Sequence, residues 1–196
     1  MPIPIVLASS SPYRRQLLER LGVPFEAVAP AVDETSLVGE TARQTALRLA
    51  QQKAAAVAMR FPEAIVIGSD QVAEMDGHKL GKPGGHAQAL QQLLAMQGRT
   101  VVFHTALSVL RHLDQRTSTD CVETSVRFRR LPREALELYL RRDRPYDCAG
   151  SAKIEALGIC LVDSVRSNDP TALIGLPLIR LTTMLADCGV ALPGDL

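Results

Sequence analysis

Two carboxylates and three cations in this 196-residue chain stand in contexts suited to the chemistry of anionic ligands. Asp70 closes an apolar run, Ala64-Ile65-Val66-Ile67, through Gly68-Ser69-Asp70-Gln71. A strand that should otherwise be buried has little reason to end in Ser-Asp-Gln unless it delivers polar groups to a site, and α/β proteins place sites at strand ends. Glu34 lies in a loop rich in Pro and Val; Asp33 competes with it, and nothing local separates the two. Such carboxylates suit Mg²⁺, which takes oxygen ligands, keeps several waters and bridges to phosphate. Among the cations, Lys82 sits between Gly81 and Pro83, a stiff segment a ligand can approach closely. Arg14 falls in the first turn of a helix that opens after Ser9-Ser10-Ser11-Pro12. Unpaired backbone N–H groups, serine hydroxyls such as that of Ser9, and an arginine make a reasonable phosphate cradle. Lys53 lies in a helix otherwise made of Ala, Gln and Leu. Each residue also has a plainer reading. Asp70 would be a turn residue, Lys53 a solvated helical lysine, and Ser9 to Arg15 a simple Ser-Pro helix start.

Other chemistries find less support. The P-loop pattern G-x-x-x-x-G-K-[ST] is absent, and His78, His86, His104 and His112 form no ligand pattern. His104 falls in a strand and reads as a satisfied core residue. The four cysteines, Cys121, Cys148, Cys160 and Cys188, lack metal-type spacing and read as reduced, mostly buried thiols of a cytoplasmic protein. Net charge is +1 and the pI about 7.7, so nothing global favours a nucleic acid polymer or an anionic membrane. With no Trp and few other aromatics, stacking platforms for single strands are missing too. No apolar run reaches the length of a membrane-spanning helix, and the opening stretch has its basic residues on the wrong side for a signal peptide.

The elements that must position these residues follow from periodicity and punctuation. Ile3 to Ala8 reads as a strand buried on both faces. Pro12 to Leu21 reads as a helix stopped by Gly22. Phe25 to Ala29 is a short strand. Thr41-x-x-Gln44 is a capping box that starts a helix from Ala42 to Arg60. Ala64 to Met75 is a strand, Asp76-Gly77 a hairpin signal, and His86 to Gln97 a helix closed by Gly98. Thr100 to Leu110 and Thr117 to Arg129 read as an antiparallel pair joined by a polar turn. Pro132 to Arg142 is a helix, Gly158 to Ser164 a strand and Leu176 to Cys188 an amphipathic helix. Crossovers mixed with hairpins imply an α/β class with a mixed sheet. No linker long enough to divide the chain is visible, so residues 1–196 are expected to form a single domain.

Taken in order, these segments resemble the Maf family of nucleoside triphosphate pyrophosphatases over nearly the whole chain. The matching pieces are Leu7 to Arg15, Val32-Asp33-Glu34-Thr35, Gln52-Lys53-Ala54, Ile67 to Gln71, Gly81-Lys82-Pro83, Cys148 to Ser151 and Gly175-Leu176-Pro177. The resemblance implies a long mixed central sheet flanked by helices, with two lobes around a cleft, as in inosine triphosphatase-like folds. It implies hydrolysis of the α–β phosphate bond of a nucleoside triphosphate, giving the monophosphate and pyrophosphate, with a divalent cation (Mg²⁺ or Mn²⁺). Carried onto this chain, Asp70 would be the general base and a metal-associated carboxylate, with Glu34 the second. Ser9, Arg14, Lys53 and Lys82 would contact the triphosphate. The family also suggests homodimers.

The same resemblance bears on the base. Tyr13, Gln71 and Glu155 occupy the positions at which family branches differ, and the aromatic–Gln–Glu combination is similar to the branch acting on 7-methyl-GTP. A methylated guanine carries ring charge, which an aromatic face and a carboxylate both favour. The chain departs from that branch at Ala152 and Ala156, where an aromatic and a glycine are usual. In a regular strand Gln71 would also point away from Asp70. A broader house-cleaning pyrophosphatase is the alternative reading, and a non-catalytic regulator of septum formation a third.

Overall fold

The computed structural model describes residues 3–113 and 116–193. Among them, seven strands and five α-helices follow in the order β1 (Ile5–Ala8), α1 (Pro12–Glu19), β2 (Glu26–Val28), α2 (Ala42–Ala58), β3 (Ile65–Met75), β4 (His78–Leu80), α3 (His86–Met96), β5 (Thr100–Arg111), β6 (Arg116–Phe128), α4 (Arg133–Asp143), β7 (Val162–Ser167) and α5 (Leu178–Asp187). The strands form one mixed sheet in the order β2-β1-β3-β5-β6-β7, with β4 paired to β3. β1 is parallel to both β2 and β3, whereas β3–β4 and β6–β7 are antiparallel. The α/β mixed sheet therefore stands as the sequence implies.

The chain divides into two compact units. The first comprises Met1–Asp70, Thr105–Val122 and Asp169–Leu196; the second comprises Gln71–His104 and Glu123–Asn168.

In the first unit, strand alternation sorts the core. Ile5 and Leu7 of β1, Ile65 and Ile67 of β3, and Leu107 and Val109 of β5 pack against Leu17 and Leu18 of α1 and Leu181, Met184 and Leu185 of α5. The intervening residues Val6, Ala8 and Val66 pack on the other face against Ala54, Val57 and Ala58 of α2. α2 starts at the capping box foreseen at Thr41 and Gln44, with both reciprocal bonds formed.

In the second unit, α3 packs on α4. Leu90, Leu93, Met96, Val101, Phe103, Val126, Phe128, Leu136 and Leu140 supply buried apolar surface. The Asp76-Gly77 turn takes positive φ at both residues, 50° and 80°, as a two-residue hairpin requires.

Several expectations shift. Gly158 to Leu161 belongs to a 3₁₀ turn, Leu157–Leu161, and the strand starts only at Val162. The cause is local: a Cβ on Gly158 would lie 2.3 Å from the Lys153 carbonyl oxygen, so the chain folds back on itself there and cannot extend. The last helix begins at Leu178, after Pro177. The polar turn between β5 and β6 lies partly outside the described residues, at positions 114 and 115. His104 is buried, but its Nδ1 has no hydrogen-bond partner among the described residues, so it is not the satisfied core histidine expected. None of the four cysteines is joined in a disulfide, yet only Cys121 is buried, and Cys160 is exposed. No helix among the described residues is long and apolar enough to cross a membrane.

Candidate active site

Lys53 is the centre of the first unit's polar chemistry. Its Nζ donates to Asp70 Oδ1 at 2.6 Å and lies 2.6 Å from Glu34 Oε1. The solvated lysine of the sequence reading is thus corrected: Lys53 is 5% exposed. Gly68 explains how a lysine in mid-helix gets there. A Cβ at position 68 would lie 2.2 Å from the Ala50 carbonyl oxygen and 2.7 Å from the Ala54 amide nitrogen. Only glycine lets the α2 backbone rest on β3 so closely. Alternation then directs Asp70, two residues on, to the same α2 face as Gly68.

Asp33 and Glu34, which the sequence leaves undivided, differ in their partners. Asp33 Oδ1 accepts the Thr35 amide at 2.9 Å, turning its carboxylate back on its own loop, and hydrogen bonding from the Thr35 side chain and then its amide holds Asp33 below the usual carboxylate range. Glu34 alone reaches Lys53. Arg48 of α2 fixes this loop. Its Nε and Nη2 take the two Glu40 carboxylate oxygens at 2.6 and 2.8 Å, and Nη2 also donates to the Thr35 carbonyl at 3.1 Å. The guanidinium fork holds Glu40 down to about 2, so this clamp stays ionised across the working pH range.

Arg14 completes the group. Its Nε donates to the Gly175 carbonyl at 2.8 Å. Desolvation lowers its pKa, while the charges of Asp70 and Glu34 raise it, so the guanidinium shares a field with both carboxylates. Ser9 is buried, and its Oγ accepts the Ser11 amide at 3.1 Å, shaping the turn before the Ser11 cap of α1. Tyr13 is partly buried in the first turn of the same helix.

The remaining residues named by the sequence belong to the second unit. Gln71 follows Asp70 in β3, which runs on as a strand to Met75; alternation places Gln71 with Ser69 and opposite Asp70. Lys82 is exposed, next to Pro83 and Gly84, whose amide donates to the Tyr146 carbonyl at 3.0 Å. Gly81 has no neighbour within 4 Å of its Cβ position, so nothing in the protein itself demands glycine there. Glu155 sits in a loop closed by Gly158 and by the Ala156 amide on the Lys153 carbonyl, 3.1 Å. The Lys153 amide in turn donates to the Tyr139 hydroxyl at 2.9 Å. Partial desolvation raises the Glu155 pKa, against the pull of Lys153. Burial and the neighbouring Asp147 carboxylate push the Cys148 thiol up to about 12.

Two residues of the first unit escaped sequence reasoning. Ser69 is fully buried and donates towards the carbonyls of Ala106 and Gly175 at 2.8 and 3.0 Å. Asp169, 2% exposed, caps the start of α5 through the Ile179 amide at 2.7 Å and holds Thr171 by two bonds. Their partners are 106 and 10 residues away in sequence, which for Ser69 leaves no local pattern to read.

The expected strand end at Asp70 is corrected, since β3 carries on through it. A mixed α/β sheet with a buried lysine bridging a mid-strand and a loop carboxylate, and an arginine beside them, defines a protein built to gather charge of both signs around one point. The chain belongs to the Maf family: the family model described as Maf-like protein matches residues 4–188. It is similar to curated proteins named 7-methyl-GTP pyrophosphatase. That of Ralstonia nicotianae is 59% identical over 182 residues, covering 93% of this chain and 94% of the relative. That of Burkholderia orbicola is 57% identical over 187 residues, 94% and 89%. That of Albidiferax ferrireducens is 52% identical over 190 residues, 97% and 96%.

Proposed function

We propose that this protein is a nucleoside triphosphate pyrophosphatase that prefers 7-methyl-GTP, releasing the monophosphate and pyrophosphate. The observation that carries the chemistry is Lys53 Nζ held between Glu34 and Asp70 at 2.6 Å from each. The preference rests on likeness to relatives bearing that name at 52–59% identity over nearly the whole chain.

In this reading water adds at the α phosphorus, the Pα–O bond to the β phosphate breaks, and pyrophosphate leaves. Asp70 takes the proton from the water. Arg14 and Lys53 neutralise the charge that accumulates on the phosphate oxygens and leaving group, the main demand of such a transfer. Ser9, in the turn that precedes the Ser11 cap of α1, is assigned to phosphate. In the second unit, Lys82 is assigned to phosphate, and Gln71 and Glu155, with Tyr13 of the first unit, to the base.

The donor set suits a divalent cation. Two carboxylate oxygens converge on one ammonium and so lie no further apart than the two 2.6 Å contacts together. Both are the hard oxygen ligands Mg²⁺ and Mn²⁺ accept. Among the described residues no cluster of three or more His, Cys, Asp or Glu forms, so the other positions would fall to water and phosphate. Glu34 and Asp70 would hold the ion, which when bound would acidify a coordinated water and offset phosphate charge.

The test is pyrophosphate release by the purified protein from a panel of GTP, UTP and 7-methyl-GTP with Mg²⁺ or Mn²⁺. Release should be fastest from 7-methyl-GTP and abolished in Asp70→Ala. Turnover of none of the three overturns the enzyme reading; equal turnover of all three overturns the preference alone.

A further inference from the structure

Gly175 takes φ 126° and ψ 2°, a conformation that favours glycine, in the turn between the 3₁₀ segment Ala172–Ile174 and α5. The turn is tied down on several sides. Asp169 Oδ1 accepts the Thr171 amide at 2.9 Å and its hydroxyl at 2.6 Å. The Thr171 hydroxyl is 2.9 Å from the Leu176 carbonyl and accepts the Leu178 amide at 2.8 Å. The Gly175 amide donates to the Ala172 carbonyl at 3.0 Å, and Thr105 Oγ1 donates to that same carbonyl at 2.9 Å. So rigid a turn presents the Gly175 carbonyl oxygen at a fixed point.

That oxygen has two lone pairs and two donor groups facing it, Arg14 Nε at 2.8 Å and the Ser69 hydroxyl at 3.0 Å, whose single proton is shared with the Ala106 carbonyl at 2.8 Å. Each donor has a consequence. A guanidinium held by Nε has its other two nitrogens aimed in a fixed direction, which a flexible ammonium cannot copy. Ser69 immediately precedes Asp70, and alternation sends the two side chains to opposite faces, so fixing one fixes the aim of the other. We propose that Ser69 is a positioning residue, and that the Gly175 carbonyl it shares with Arg14 sets the register between the phosphate-binding arginine and the Asp70 carboxylate. This rests on the function proposed above, with Arg14 and Asp70 as the reacting groups.

The test is a double-mutant cycle on the full chain with 7-methyl-GTP and Mg²⁺: wild type, Ser69→Ala, Arg14→Lys and the pair. Ser69→Ala keeps the volume and removes the tie. It should melt within a few degrees of wild type, lose roughly tenfold in kcat and leave KM within about twofold. Arg14→Lys should lose roughly a hundredfold in kcat/KM. Because both act through one oxygen, the pair should lose clearly less than the product of the single losses. Wild-type kcat in Ser69→Ala, or losses that simply multiply, overturns the proposal. If Ser69→Ala does not fold, Ser69→Cys, which keeps a weak donor, takes its place in the cycle with the same expected coupling. A wild-type chain that releases no pyrophosphate overturns the proposed function itself, which separates the two failures.

Discussion

The charged group of the first unit stands on regular elements, whereas Glu155 of the second, assigned above to the base, stands in a loop. Glu34 excepted, the charged group of the first unit stands on α1, α2 and β3, and its placement follows from helix and strand periods locked by burial. Glu155 stands in a turn that closes on itself through Gly158, the Lys153 carbonyl and the Tyr139 hydroxyl. Groups that must meet a reacting phosphorus need positions held to a fraction of an ångström. A group that selects among bases needs a shape that can differ from relative to relative without disturbing the scaffold, and loops supply that. The departures at Ala152 and Ala156 fall in or beside that loop, none of them in the Lys53 cluster.

Lys53→Met should break the first unit's arrangement most severely. It removes a cation and leaves two carboxylates facing each other, so kcat should fall by about 10²–10³, read by pyrophosphate release. Gly68→Ala comes next. Its Cβ would meet α2 backbone at 2.2 Å, and backbone cannot yield as a side-chain tip can. The helix must lift off β3, which should cost ~3 kcal/mol or more in denaturant unfolding and part Lys53 from Asp70. A variant as stable and active as wild type would show that the close approach is not what places Lys53.

The loop should respond more gently and in specificity. Glu155→Gln should lower kcat/KM for 7-methyl-GTP by roughly tenfold and leave GTP nearly unchanged. The wild-type preference should also fall as pH drops through the raised Glu155 pKa, because the carboxylate that attracts a cationic ring becomes protonated. A preference flat in pH would remove Glu155 from base recognition. The smallest effect concerns thiols. Cys148, pushed up to about 12, stays protonated near neutrality, so iodoacetamide should label exposed Cys160 well before it, as peptide mass spectrometry would report.

Much of this was legible in the residues, and unevenly. The β1–α1 opening, the Thr41 cap and the Asp76-Gly77 hairpin obey local rules, so sequence and structure agree. Asp70 was visible because a polar triplet interrupts the apolar run of β3, although the strand continues past it to Met75. The plainer reading of Lys53 as solvated fails because a helix can bury a lysine when something brings a partner close. The clue was Gly68, a strand glycine that marks close backbone approach. Ser69 and Gly175 meet across 106 residues, and Gly158 to Leu161 looks extended by composition although it curls back on Lys153. Long-range contacts and backward turns leave no periodic trace.

The bridging lysine has one more consequence, for how a ligand arrives. Arg14 and Lys53 balance Glu34 and Asp70, and the chain as a whole carries a formal charge of only +1. An approaching polyanion therefore meets a local pattern of alternating sign in place of a net positive field. Such a pattern fades within a few ångströms and attracts little from afar. Capture by this protein is a matter of short-range fit, and the rate at which it gathers its ligand should be nearly indifferent to salt.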